Sequence, residues 1–252
     1  MAPITDTYWP AFKQAVEDAP VGDSSPELTC GICLETMDIC HPNDHAHDHL
    51  ARILPCGHIF GTACLAKLLG SKQPNYYQCP TCKTKCHNHP KCDHLSMGRL
   101  LPSEVSDYPR VPPVLSAGGQ IPPNCSQCEA ACIFSDLTSF LKIHDTYRPV
   151  PDKDQYVAFY LTHDGQTDEQ FREDCIAKNI KHNRVSAFEI TGGLSAAWDI
   201  YRKSLDVKAG MFWYEMDLNK LRFYGGLFEK STSPQIEKGS LLRRLFHLES
   251  RT

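Results

Sequence analysis

Apolar residues recur at helical spacing in several stretches, and each predicts an amphipathic helix. These are a short one near Trp9–Glu17, then Phe134–Tyr147, Asp168–Asn179, Ala196–Leu205 and Ser240–Leu248. The pattern breaks down over residues 27–94, where apolar positions are sparse and cysteine and histidine crowd in. There we expect only a hairpin around Ile53–Phe60, a short helix at Cys64–Leu69 and long irregular loops. The segment 209–228, AGMFWYEMDLNKLRFYGGLF, is aromatic and fits strand or helix. Gly22-Asp-Ser-Ser-Pro26 is a breaker cluster, and the Pro-rich 102–123 predicts an extended linker. No internal repeat is evident. The expected organisation is a lead-in over 1–26, a small cysteine-rich module over 27–94 with its core at 30–83, a Pro-rich linker over 95–124, and a mainly helical region over 125–252. The fold class is α+β.

Composition changes this picture at one point. The 252 residues are 41% hydrophobic and 22% charged, with a net charge of −4, ordinary values for a globular protein. The first residues, MAPITDTYWPAF, lack the basic start and apolar run of a secretory signal. No stretch approaches the roughly 18 apolar residues of a membrane span. A cytoplasmic or nuclear protein without membrane or nucleic-acid partners is expected. The anomaly is the 13 cysteines, of which twelve lie between Cys30 and Cys132. A secreted disulfide scaffold would show an even count and a signal peptide; cysteines interleaved with histidine in a reducing compartment bind metal more often.

Their spacing supports metal. Cys30-x2-Cys33 is followed after 22 residues by Cys56-x-His58, then Cys64, then after 14 residues by Cys79-x2-Cys82. A CxxC places two thiolates on one tight turn, both able to reach a tetrahedral zinc at about 2.3 Å. One such pair is weak evidence; two of them bracketing a C-x-H…C are strong evidence.

This row resembles the RING finger, with its order C-x2-C, loop, C-x-H-x2-[C/H]-x2-C, loop, C-x2-C. The resemblance implies a cross-braced module with two structural zinc ions. The first and third ligand pairs share one ion, the second and fourth the other. Cys56, His58, Cys79 and Cys82 would then form one complete site, and Cys30, Cys33 and Cys64 three-quarters of the other. The resemblance also implies a ubiquitin ligase that docks a ubiquitin-conjugating enzyme on Ile32, Leu34, Leu68 and Pro80. Lys83, in the family's "linchpin" position, would bridge ubiquitin and that enzyme, as a point charge rather than the planar fork of arginine. Leu68 stands where a larger apolar residue is usual. Plain packing in a small core is the competing reading for Ile32, Leu34 and Leu68, and a solvated surface charge for Lys83.

Gly61 occupies the fifth-ligand position. A substitute from DICHPNDHAHDHLARIL would complete the site, with Cys40 or His41 favoured over Asp44, His45, His47, Asp48 and His49. The alternatives are three thiolates with water, or an empty site. An empty site would forfeit a zinc contribution of about 10 kcal/mol.

Downstream, Cys86, Cys92, Cys125 and Cys128 are candidates for a third zinc, with free thiols as the alternative. Cys175, with Lys178 and His182 near it in sequence, is better read as an ordinary half-buried cysteine than as a nucleophile. Three functions compete. The first is a ligase with ubiquitin-conjugating enzyme, ubiquitin and an unknown protein substrate as partners. The second is a zinc-dependent adaptor without activity. The third, nucleic-acid binding, is opposed by the acidic charge and the lack of a Lys/Arg stripe.

Overall fold

The computed structural model describes residues 7–20, 27–39, 49–70, 78–85, 88–144, 151–163, 184–190, 192–216 and 218–229. The helices predicted at 168–179 and 240–248, and Cys40, His41, Cys86 and Cys175, lie outside the described residues.

Helix α1 (Trp9–Glu17) forms where expected, with Pro10 in its first turn, a position that lacks an intrahelical acceptor in any case. It buries Trp9 and Phe12. The chain before it lies along the hairpin of β3 (Ala51–Ile53) and β4 (Ile59–Gly61), because Ile59 N–H donates to the Thr7 carbonyl and Trp9 N–H to Gly57. The hairpin and helix α2 (Thr62–Gly70) match their predicted positions to within three residues. Before them, β1 (Leu28–Thr29) and β2 (Thr36–Met37) pair around the first CxxC. Strand β5 (Arg99–Leu100) adds to the free edge of β3, giving the antiparallel order β4-β3-β5.

The Pro-rich stretch does not run free as a linker. Its apolar residues Tyr108, Val111 and Val114 are buried in the same core as Trp9, Ile53 and Phe60. Trp9 meets Tyr108 edge-on at 5.0 Å between ring centroids. Prolines fix φ and keep the segment extended, but the side chains between them still bury where a neighbouring surface is apolar.

Beyond it, α3 (Ser126–His144) and α4 (Gly193–Ala209) pack on one face of an antiparallel sheet. The sheet has the order β6 (Gln155–His163), β8 (Leu221–Glu229), β7 (Arg184–Glu189). The two helices, 19 and 17 residues long, hold most of the described regular structure in this region. Ala130, Ile133, Phe134 and Leu137 of α3 share a core with Trp198 and Leu205 of α4 and Leu161 and Phe223 of the sheet, a spacing that keeps one face of α3 inward. The ambiguous aromatic segment resolves into an irregular run, a short 3-10 turn at Leu218–Lys220 and strand β8. No helix among the described residues is long and apolar enough to cross a membrane.

One residue of this second unit belongs to the first core. Trp213, 1% exposed, is buried with Trp9 and Ile53 and donates its indole N–H to the Pro113 carbonyl at 2.8 Å. Backbone bonds from Trp213 to Gln120 and from Gln120 to Met211 flank it.

Candidate metal centres

A single turn recurs three times. Leu34 N–H donates to the Cys30 carbonyl and Cys30 N–H to Glu35; Lys83 to Cys79 and Cys79 to Thr84; Asp93 to His89 and His89 to His94. In each turn the residue after the second ligand position has a left-handed backbone, with φ of 65° at Leu34, 61° at Lys83 and 55° at Asp93. This conformation costs a non-glycine residue about 1–2 kcal/mol. Two of these turns are the CxxC pairs; the third is His89-x2-Cys92.

The first group brings together Cys30, Cys33, Cys64 and His49. Cys30 and Cys33 lie in the β1–β2 turn and Cys64 in the first turn of α2. His49 stands two residues before β3, where Asp38 N–H donates to its carbonyl at 3.1 Å. Its Nε2 lies 3.3 Å from Cys33 Sγ. A tetrahedral zinc sets a thiolate and an imidazole nitrogen about 3.5 Å apart, so the pair fits an edge of that tetrahedron. A Cβ built on Gly61 would lie far inside van der Waals contact with the His49 ring, nearest its Cε1. Gly61 therefore makes room for His49, and its own N–H points at Cys30 Sγ at 3.4 Å. The favoured Cys40 and His41 lie outside the described residues; the residue seen against Gly61 is His49, one of the other candidates from the same stretch of sequence.

The second group is Cys56, His58, Cys79 and Cys82, the four residues that the resemblance to the RING finger would put on one ion. Cys56 and His58 come from the β3–β4 turn, with Cys56 Sγ 3.5 Å from His58 Nδ1. Gly57 takes φ 95° between them, and Tyr8 packs on the His58 ring at 5.4 Å.

The donor sets suit zinc on chemistry as well as spacing. Burial pushes the Cys64 thiol up to about 12, with the neighbouring Cys33 and Cys30 adding to the shift. Cys79 is also raised, first by its bond with Cys56 and then by burial. Burial alone would raise Cys30, but backbone N–H groups of Gly61, Cys33 and Ile32 outweigh it and lower its pKa. Thiols so crowded cannot all ionise without a cation among them. Metal uptake must therefore release protons. A third group, Cys92, His94, Cys125 and Cys128, joins the third turn to the start of α3. Of the residues proposed for a third site, Cys86 lies outside the described residues, and His94 stands with the other three.

Around the first two groups, Ile32 and Leu34 are exposed large apolar residues, at 40% and 77%. Leu68 and Pro80 are half-buried and Lys83 is exposed. The Lys83 ammonium donates to the Pro80 carbonyl at 2.8 Å. Two features escaped sequence reasoning. One is His94, for which the signal was the resemblance of His89-Pro-Lys-Cys92 to Cys79-Pro-Thr-Cys82. The other is a buried pair, His89 with Glu215, whose partners lie too far apart in sequence for any local signal.

Residues 30–80 match the RING-type zinc-finger family. Over 87 residues the chain is 37% identical to an uncharacterized RING finger protein of Schizosaccharomyces pombe, an alignment covering 32% of this chain and 10% of that protein. Over 106 residues it is 30% identical to the E3 ubiquitin-protein ligase RNF135 of Homo sapiens, covering 42% of this chain and 21% of that one. The chain thus spans about a tenth and a fifth of the length of these relatives. No solved structure matches it. The family match and the two Cys3His groups, each built from alternating segments of the chain, lead to one conclusion: residues 30–80 carry a RING-type zinc finger.

Proposed function

We propose that the chain is a RING-type ubiquitin-protein ligase that docks a ubiquitin-conjugating enzyme and promotes transfer of ubiquitin to a substrate lysine. The observation that carries this reading is the exposure of Ile32 and Leu34 beside two complete groups of zinc donors. Ile32 and Leu34 lie two residues apart at positions where the resemblance to the RING finger puts the docking surface for a conjugating enzyme, and their exposure leaves them accessible to it. The similarity of part of the chain to a relative named as a ubiquitin ligase points the same way.

Zinc is structural in this scheme, and each ion has four protein ligands with no open position for hydrolytic chemistry. Catalysis is positional. The conjugating enzyme carries ubiquitin as a thioester, a lysine amine attacks the thioester carbonyl, and the enzyme's thiol leaves. The ring holds that thioester in attack-ready geometry, which is proximity and orientation rather than acid–base work. Lys83 supplies the cation at the rim. Its bond to Pro80 is exposed and contributes little net energy, so the ammonium is free to exchange that acceptor for one on ubiquitin or the enzyme. The unit containing α3, α4 and the β6-β8-β7 sheet would hold substrate, in the cytosol or nucleus where its thiols stay reduced. The rival adaptor reading rests on Gly61 at a ligand position and on Leu68 where a larger apolar residue is usual; His49 beside Gly61 weakens the first of these.

The test is discharge of a ubiquitin-loaded conjugating enzyme onto free lysine, over a panel of such enzymes. The full chain should accelerate discharge with at least one of them. Ile32→Ala and Lys83→Ala should each reduce the acceleration about tenfold, the loss of roughly 1.4 kcal/mol expected of a contact residue. A folded, zinc-loaded chain that accelerates none would return the molecule to the adaptor class.

A further inference from the structure

We propose that Cys92, His94, Cys125 and Cys128 hold a third structural zinc ion, outside the matched RING segment, which clasps the C-terminal α/β unit onto the ring. The four donor atoms lie within 4.8 Å of one another. His94 Nδ1 is 3.4 Å from Cys125 Sγ and 3.3 Å from Cys128 Sγ, again close to the roughly 3.5 Å edge of a zinc tetrahedron. Backbone N–H groups point at the sulfurs as they do at Cys30: Cys125 N–H at Cys92 Sγ, 3.3 Å, and Cys128 N–H at Cys125 Sγ, 3.4 Å. Such outer bonds orient thiolates in metal sites. All three thiols are free rather than paired in a disulfide.

The turn itself carries the second argument. His89-Pro-Lys-Cys92 repeats the backbone of the two RING turns, down to the left-handed residue after its last cysteine. In those turns the first position is a ligand. Here His89 is withdrawn: its Nδ1 faces the Pro122 carbonyl at 2.9 Å and its Nε2 faces the Glu215 carboxylate. With both ring nitrogens engaged it has none to give a metal. His94, five residues on, fills the fourth place. The repeat thus keeps the geometry of a zinc turn while spending its first residue on a contact with the C-terminal unit.

The cluster also sits where a clasp is useful. Cys92 and His94 belong to the extension of the ring; Cys125 immediately precedes α3 and Cys128 lies in its first turn. Lys91 N–H donates to the Pro123 carbonyl alongside. On its far side Glu215 accepts from both the backbone and hydroxyl of Ser126. An ion here fixes the orientation of the whole second unit relative to the ring. It would therefore fix whatever that unit holds relative to the docked conjugating enzyme. This last consequence rests on the ligase reading; the ion does not.

Native mass spectrometry of the zinc-loaded full chain should count three ions. Cys125→Ser/Cys128→Ser should hold two, Cys132→Ser, which alters an exposed cysteine outside the cluster, three, and His94→Cys three. Hydrogen exchange should then rise about tenfold or more in the two-ion variant at Gln120 and Trp213, whose amides join the units, with the β3–β4 hairpin unchanged. Two ions in the folded wild-type chain would overturn the site, whether or not any variant folds. Three ions with exchange at Gln120 and Trp213 unaltered by loss of the third would overturn the clasp. Neither readout depends on ligase activity.

Discussion

Alanine at position 61 is expected to cost the first zinc group one of its four ligands. The added Cβ would occupy the volume of the His49 imidazole, and no rotation of a single methyl group avoids that. The backbone is not the obstacle, because Gly61 pairs with Ala51 in β4 as an ordinary strand residue. His49 must leave, and Cys30, Cys33 and Cys64 would be left to hold the ion with water. Losing a group that merely orients a ligand weakens metal affinity about 10–100-fold, and losing the ligand should cost at least the upper end of that range. The module is small and its zinc is a large share of its folding energy, about 10 kcal/mol or more per structural ion. A loss on the order of 3 kcal/mol would then lower the unfolding midpoint markedly. Zinc retention against a graded chelator and the thermal midpoint both read it. His49→Ala should behave alike. Gly61→Cys with His49→Ala should recover affinity, since it returns a thiol to the position where the family carries its fifth ligand. Unchanged zinc affinity in Gly61→Ala would show that His49 is no ligand.

The contrast between the ligands that were legible and those that were not has a physical origin. Cys30 with Cys33, Cys56 with His58, and Cys79 with Cys82 are local pairs, so the turn that joins them is written in their spacing. His49 joins its site across 16 residues from Cys33. A loop of that length closes at nearly the same entropic cost for any of several candidates, and the choice falls to the space beside Gly61. His94 was hidden because its turn begins with histidine, so a search for CxxC passes over it. Strand β6 was missed for another reason. Tyr160 and Leu161 are both fully buried, on opposite faces of the sheet. With both faces covered, the alternation that betrays a strand is lost. The helices α1 and α4 each keep a wet face, and their period survives. The Pro-rich segment misled by composition: its prolines advertise an extended chain, while Tyr108, Val111 and Val114 decide where that chain lies.

Glutamine at position 215 is expected to be the most damaging isosteric change outside the metal ligands. Glu215 joins three elements at once. It faces His89 at 2.5 Å, accepts from Ser126 at the start of α3, and lies two residues from Trp213 in the first core. The His89 side chain is fully buried and that of Glu215 is 17% exposed. Burial raises the Glu215 carboxyl, but its bond and charge interaction with His89 and the Ser126 N–H outweigh this and lower it. Burial alone would likewise lower His89, but Glu215 and the Pro122 carbonyl raise it. Each shift favours the charged form of its group, so the pair contributes most where both are ionised. Removing one charge strands the other in the interior, at a cost of about 3–5 kcal/mol. The pH dependence follows from the two directions. The His89 contribution is complete below its unfolded value near 6.5 and fades as pH rises through its higher folded value. The Glu215 contribution is complete above its unfolded value near 4.5 and fades as pH falls through its lower folded value. The stability gap between wild type and Glu215→Gln should thus be widest between about pH 4.5 and 6.5 and narrow on the alkaline side. Urea unfolding of both proteins across that range, with zinc content checked at each pH, measures it. A gap that stays flat through the alkaline limb would mean that His89 is neutral in the fold, and that Glu215 acts through Ser126 alone.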